Sequence, residues 1–111
     1  MRNGDIMEFE LIEKYSQVDK VINKNLVIIV AKTHTCSACG VMNQMLEKNV
    51  VGLENIERYN IYVDDIEKFK GDHLIFSAPT VLIFSEGKEL LRESRYINYA
   101  KISRLIEVFT S

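Results

Sequence analysis

The sequence has only two cysteines, one proline and no marked excess of either charge. Two cysteines exclude both a scaffold stapled by several disulfides and a four-thiolate zinc site within one chain. The formal net charge is -2, with lysine and arginine scattered among the acids, so no basic surface for nucleic acid or an anionic membrane is expected. Long apolar runs are also missing, because the longest, residues 26–31, is far shorter than the roughly 20 residues that span a bilayer.

The N-terminus lacks the apolar segment of a secretory signal peptide, since residues 1–8 include acidic side chains. We therefore expect a protein that is not secreted and is located in the cytoplasm. In a reducing compartment, two cysteines are more often catalytic or metal-binding than structural. With 47% apolar and 27% charged residues, the composition is that of an ordinary globular protein and predicts one domain over residues 1–111.

The apolar residues predict helices and strands that alternate along the chain. Strands are expected at residues 26–31, 56–63, 80–84 and 89–96, with a hairpin turn at 85–88, and helices at 10–25, 36–49, 66–71 and from 98 onward. In an alternative for the first helix, residues 9–12 form an edge strand and Ser16 caps a shorter helix. Asp64 or Asp65 is predicted to cap the third helix, and Asn98 the last. This order is typical of an α/β fold with a central mixed sheet of four or five strands and helices on both faces.

The two cysteines form the motif Cys36-Ser37-Ala38-Cys39, which follows the most apolar strand and opens an amphipathic helix. Two intervening residues at a helix start allow the thiols to approach bonding distance. The unpaired N–H groups and partial positive charge of a helix N-terminus stabilise a thiolate over a thiol. Because the thiolate is the nucleophile of thiol–disulfide exchange, this placement predicts Cys36 as the attacking residue and Cys39 as the resolving one.

Other interpretations of the motif stay open. The cysteines are an inert buried pair, or they supply two ligands to a zinc site, which normally needs four. His34 and His73 are the only histidines, nothing in the sequence places both beside the cysteines, and His73 is expected in a surface loop. His34 is either an exposed loop residue or a cation that stabilises the Cys36 thiolate.

The sequence resembles the thioredoxin superfamily over nearly its whole length. Three features carry the resemblance: the strand at residues 26–31, the Cys36-Ser37-Ala38-Cys39 helix start, and Ala78-Pro79-Thr80 before an apolar strand. The resemblance implies a thioredoxin fold in which Pro79 is cis and lies beside the cysteines. It also implies that Ala78 offers backbone hydrogen bonds to substrate, and that the surface around Thr35, Ala38 and Ala78 accepts a client peptide.

Several residues depart from the pattern of the thioredoxins themselves. Thr35 replaces the aromatic residue that usually precedes the first cysteine, and Ser37-Ala38 replaces the usual Gly-Pro. Val30 stands where thioredoxins bury an acid, and Asn60 or a neighbour stands where a lysine accompanies that acid. A buried carboxylate near the second cysteine acts as general base in the resolving step. We therefore expect slower resolution at neutral pH and a more specialised exchanger than a general thioredoxin.

The leading functional prediction is a thiol–disulfide oxidoreductase that needs no cofactor beyond its own redox-active disulfide between Cys36 and Cys39. Its expected partners are protein disulfides, or mixed disulfides of the bacillithiol or glutathione type, together with a reductase or low-molecular-weight thiol. No nucleic acid or membrane partner is expected, and the protein is expected to be a monomer or weak dimer. The main alternative is a binding, adaptor or redox-sensing module with little turnover. A third is a metal-binding domain that uses both thiolates, with or without His34.

Overall fold

A five-stranded mixed sheet lies at the centre of the computed structural model, which describes residues 8–111. The strands are β1 (Glu10–Ile12), β2 (Val27–Lys32), β3 (Glu57–Tyr62), β4 (Thr80–Ser85) and β5 (Lys88–Ser94), in the spatial order β1-β3-β2-β4-β5. The helices are α1 (Val18–Ile22), α2 (Cys39–Asn49), α3 (Glu67–Asp72) and α4 (Tyr99–Thr110), with single 3-10 turns at Tyr15–Gln17 and Leu53–Asn55. The predicted α/β class with a mixed sheet is confirmed. The prediction that no signal peptide is present concerns a segment that lies almost wholly outside the described residues.

Strand β2 is the middle of the sheet and is parallel to β3 and antiparallel to β4. All five residues of 27–31 have no solvent exposure, as a continuous β-branched run predicts for a strand covered on both faces. The outer strands are β1, parallel to β3, and β5, antiparallel to β4. The predicted helix over residues 10–25 is wrong, because β1 occupies its start and α1 covers only Val18–Ile22. The alternative with an edge strand at residues 9–12 is supported, but Ser16 does not cap the shorter helix, since Gln17 holds the N-cap position without a side-chain hydrogen bond. A three-residue strand is too short to show an alternating pattern in the sequence.

Apolar side chains pack against both faces of the sheet, with α1 and α3 on one face and α2 and α4 on the other. The first core is centred on Ile29, Ile61, Phe69 and Phe84, and the second on Ile28, Leu46, Ile83, Ile102 and Ile106. Full burial of such a side chain contributes about 1.5–3 kcal/mol, so the two cores hold the helices against the sheet. Across residues 8–111, no helix is both long and apolar enough to cross a membrane.

Helix α2 begins at Cys39, three residues later than predicted. The N–H of Cys36 bonds to the carbonyl of Thr33, and the N–H of Cys39 bonds to that of Cys36, both at 3.3 Å. These two turns use bonds between residues three apart, so the chain tightens before the helix proper starts. The apolar spacing of Met42 and Leu46 defines the buried face of α2 but carries no information on its first turn.

The predicted cap of α3 is wrong. Ile66 occupies the N-cap position with no side-chain hydrogen bond, while the carboxylates of Asp64 and Asp65 both turn to His34. His73 also differs from the prediction of a surface loop, because it ends α3 half-buried, with its ring centroid 4.5 Å from that of Phe69. A partner about 30 residues away in sequence, His34, determines the positions of the two carboxylates, and local pattern cannot reveal it. His73 instead packs on Phe69, one helical turn before it.

The hairpin and the last helix follow the prediction closely. Glu86 and Gly87 connect β4 to β5 with φ values of 51° and 87°, which is the backbone of the two-residue turn that matches strand twist. The side chain of Asn98 accepts a hydrogen bond of 3.0 Å from the N–H of Lys101 and so caps α4. The turn places β5 antiparallel to β4 at the edge of the sheet, and α4 packs on the sheet face that α2 also covers.

Candidate active site

Cys36 and Cys39 are joined by a disulfide at the end of the sheet where β2 leads into α2. Their Cα atoms are 5.4 Å apart, within the ordinary range for bonded cysteines. Cys36 is partly exposed, whereas Cys39 lies in the first turn of α2 and is only 3% exposed. An incoming thiol or disulfide therefore reaches Cys36 more readily than Cys39.

The segment before β4 meets the disulfide from the other side. The Ala78–Pro79 peptide bond is cis, and the carbonyl oxygen of Ala78 lies 3.4 Å from Cys36 Sγ, although 42 residues separate the two in sequence. The hydroxyl of Thr80 donates a 2.7 Å hydrogen bond to the carbonyl of Ser77, which fixes the chain on both sides of Pro79. The fold thus brings together the cysteine motif and the Ala-Pro segment that the sequence singled out.

A shallow groove of about 470 Å³ runs past Cys36. It is lined by Thr33, Thr35, Cys36, Ser37, Ala38, Val63, Lys70, Ile75, Phe76, Ser77 and Ala78. The predicted residues Thr35 and Ala78 both line it, whereas Pro79 is not part of the lining. The sequence reasoning missed Phe76 and Lys70, and the available signal was an aromatic residue three positions before the only proline.

His34, two residues before Cys36, is held in place by several contacts. Its backbone N–H donates to Asp64 at 3.0 Å, its Nε2 lies 2.8 Å from an Asp65 oxygen, and its ring stacks on Tyr62 at 4.0 Å between centroids. The hydrogen bond to Asp65 raises the pKa of His34, and the side chain stays more than half exposed. Among the described residues, the hydrogen bonds of His34 lead to these acids and none to Cys36. His34 is therefore an exposed loop residue that is held in place.

The metal-binding interpretation gains no support from the arrangement of ligand-type side chains. In the described part of the chain, His34, Asp64 and Asp65 bring ligand atoms within 4.8 Å of one another, and this group includes neither cysteine. The two sulfurs are bonded to each other, so they are not available as thiolate ligands in this state.

Val30 and Asn60 are direct neighbours in the sheet, since they are Cα partners in the register of β2 and β3. Val30 has no solvent exposure and belongs to the core beneath α2, together with Met42 and Leu46. The side-chain oxygen of Asn60 is buried and accepts no hydrogen bond from any of residues 8–111. The pairing confirms Asn60 as the residue next to Val30, so no carboxylate or ammonium group stands at either position.

The comparison with known sequences is limited to part of the chain. No protein-family model matches it. It is 26% identical over 72 residues to the thioredoxin-like protein YdfQ of Bacillus subtilis (strain 168). This match covers 65% of the chain and 64% of the relative, so the chain spans less than two thirds of that protein's length.

Solved structures give a match over nearly the whole chain. Thioredoxin from Fasciola hepatica has a TM-score of 0.74 and 21% identity, covering 92% of this chain and 100% of that one. Oxidised thioredoxin from Plasmodium falciparum has a TM-score of 0.75 and 19% identity, covering 94% and 100%. These likenesses show the fold, and the Cys36–Cys39 disulfide joins the two cysteines of a Cys-x-x-Cys motif within it. The chain is therefore similar to a thioredoxin-like protein and has the thioredoxin fold.

Proposed function

We propose that this protein is a thiol–disulfide oxidoreductase that exchanges its Cys36–Cys39 pair with disulfides of other molecules. One observation carries the proposal: a partly exposed Cys36 is bonded to a buried Cys39 and lies 3.4 Å from the carbonyl of Ala78 in an open groove. An inert structural disulfide needs neither a groove nor unequal exposure of its two sulfurs. Exchange requires both, because the client must reach one sulfur while the other stays shielded until it attacks the mixed disulfide.

The proposed reduction of a client disulfide takes two steps. In the first, the Cys36 thiolate attacks one client sulfur, a Cys36–client bond forms, and the client's other sulfur leaves as a thiolate and takes up a proton. In the second, Cys39 loses its proton and attacks Cys36 Sγ, which releases the first client sulfur as a thiolate that is also protonated. The client gains two electrons and two protons, and the protein ends in the disulfide state.

For the second step, no carboxylate base stands at the Val30 or Asn60 position. Val30 and Asn60 occupy the neighbouring positions beneath α2, and neither side chain accepts a proton near neutral pH. Cys39 must therefore transfer its proton to water or to the departing sulfur. We propose that resolution is slow at neutral pH and that the mixed disulfide through Cys36 is long-lived.

Recycling needs a reductant of the dithiol or paired-thiol class, which reverses the two steps and restores both thiols. We propose a partner reductase or a low-molecular-weight thiol for this role, in the reducing environment of the cytoplasm. Protein disulfides and mixed disulfides of small thiols are both accepted by the proposed chemistry. We further propose that the protein acts as a monomer or weak dimer.

A redox-sensing or binding module is the second candidate, and the pairing of Val30 with Asn60 is the observation that favours it. In that case the disulfide forms and breaks once per signal, without repeated turnover. Reduction potential does not separate the two functions, but turnover does. A rate of client reduction no higher than that of a free thiol would favour the sensor.

The test uses the wild-type protein, Cys36→Ser, Cys39→Ser and the matched control Ser37→Ala in the same turn. With a disulfide-bonded test peptide and excess dithiol, the wild type and the control should turn over, and Cys36→Ser should not. Cys39→Ser should accumulate a mixed disulfide through Cys36, visible by mass spectrometry as protein plus one peptide. Trapping through Cys39 in the Cys36→Ser variant instead would reverse the assigned roles, and zinc binding by the reduced wild type at one equivalent would favour the metal-binding alternative.

A further inference from the structure

Phe76 is a large aromatic residue that lies in water at the edge of the active-site groove. It is 85% exposed, yet it lines the same groove as Cys36 and Ala78. Leaving such a side chain in water forfeits about 1.5–3 kcal/mol that its burial would contribute. An apolar side chain of a bound molecule that covered this ring would recover part of that free energy.

The loop that carries Phe76 is held from both sides, so the ring is presented rather than loosely packed. Arg92 donates hydrogen bonds of 2.6 and 2.9 Å to the carbonyls of the two residues before Ile75. Glu89 orients that guanidinium through two hydrogen bonds of 2.8 and 2.7 Å. Ile75 itself is 2% exposed and anchors the loop in the core. Little conformational freedom is therefore lost when a ligand contacts Phe76, which favours binding.

The backbone beside Phe76 offers hydrogen-bond donors to the groove. Within residues 8–111, the N–H groups of Phe76, Ser77 and Ala78 form no hydrogen bond with a backbone acceptor. Alternate N–H groups of an extended segment face the same side, so part of this set can pair with carbonyls of an added strand. This feature suits a peptide segment better than a small thiol.

The charge at the groove favours one kind of client peptide over another. Lys70 is the one charged side chain among the residues that line the groove, and it is exposed. An ammonium group at the rim attracts a carboxylate and repels a basic side chain, an exposed contact worth up to about 1 kcal/mol. Acidic clients are therefore favoured over basic ones.

We propose that Phe76 and Lys70 are specificity-determining residues that select protein disulfides flanked by an apolar and an acidic side chain. Phe76 supplies, from the other wall of the groove, the aromatic surface that Thr35 does not. The client segment lies extended along Ser77 and Ala78, with its disulfide at Cys36. This inference rests on the proposed exchange function and names the client that the groove takes.

The experiment compares two disulfide-bonded test peptides, one with Leu and Glu beside the cysteine and one with Ala and Lys. A small disulfide, bis(2-hydroxyethyl) disulfide, reports the chemistry without the flanking contacts. The variants are Phe76→Ala, Phe76→Tyr as a conservative rescue and Lys70→Glu, with Phe109→Ala and Lys48→Glu as matched changes outside the groove. The Cys36→Ser/Cys39→Ser double variant measures peptide affinity without any redox step.

The wild type should favour the Leu/Glu peptide by roughly tenfold in kcat/KM, and Phe76→Ala should remove most of this preference. Lys70→Glu should shift the preference toward the Lys-containing peptide, while Phe76→Tyr, both control variants and the rate on the small disulfide stay unchanged. Turnover of all substrates with no flanking preference would overturn the inference and leave the exchange function standing. Selective affinity of the double variant without turnover by the wild type would overturn the exchange function instead. If the double variant binds neither peptide and the wild type turns over no substrate, both the inference and the exchange function are overturned.

Discussion

His34 Nε2 lies 2.8 Å from a carboxylate oxygen of Asp65, and this contact ties the loop before the disulfide to the segment after β3. The stacking of His34 on Tyr62 and the hydrogen bond from its N–H to Asp64 add two further links between the same segments. Cys36 follows two residues later, so the position of its sulfur depends on contacts that the cysteine motif itself does not contain.

Breaking the His34–Asp65 contact should change how stability depends on pH. The hydrogen bond to Asp65 raises the pKa of His34 in the folded protein, so folding gains stability from the protonated form. That contribution is fully present below the unfolded value of about 6.5 and is lost as the pH rises through the raised folded value. Urea unfolding from pH 5 to 9 should therefore show the Asp65→Asn variant destabilised most at low pH. The exposed Glu67→Gln change is the control, and a pH-independent difference would contradict the prediction.

The pKa of the second histidine, His73, should be shifted in the opposite direction. Burial beside Phe69 and Phe84 lowers the pKa of His73, so folding favours its neutral form. Stability from this group is present above the unfolded pKa of about 6.5 and falls as the pH drops through the folded value. NMR titration of the two histidines should place His34 above and His73 below the ordinary value, and the reverse order would refute both assignments.

The position of Val30 allows a direct test of the missing base. Val30→Asp alone should cost about 3–5 kcal/mol, because it buries an unpaired carboxylate in the core under α2. Adding Asn60→Lys, its partner in the sheet register, should recover part of this loss. If the double variant is folded, the step in which the client sulfur is released from Cys36 should be faster at pH 7 than in the wild type. The control is Asn60→Lys alone, and an unchanged release rate in the folded double variant would show that proton removal does not limit resolution.

Loss of Arg92 should loosen the loop that presents Phe76. Arg92→Ala leaves two partly exposed carbonyls without their donor, which should cost about 1 kcal/mol of unfolding free energy. It should also reduce the preference for apolar clients, while the rate on a small disulfide stays near that of the wild type. Glu89→Gln keeps the bonds to the loop and should have a smaller effect on both measurements. A preference that survives in Arg92→Ala would show that the rest of the loop suffices to hold Phe76.

Much of the architecture follows from local patterns. The β-branched run at residues 27–31 predicts a central strand, and Asn98 predicts the start of α4, because both signals are carried by the residues of the segment itself. The first turn of α2 and the partners of Asp64 and Asp65 were not predictable in this way. Their hydrogen bonds compete with alternatives of similar strength, and contacts from elsewhere in the fold decide the outcome.

The sequence by itself determined which two residues form the disulfide, because Cys36 and Cys39 are its only cysteines and two intervening residues let their sulfurs reach bonding distance. Only the tertiary structure decided what surrounds that disulfide. The carbonyl of Ala78 comes within 3.4 Å of Cys36 Sγ across 42 residues, and Phe76 and Lys70 join the same groove. The physical reason is that strand pairing between β2 and β4 brings distant segments to one end of the sheet. The spacing of apolar residues along the chain does not reveal which side chains meet there.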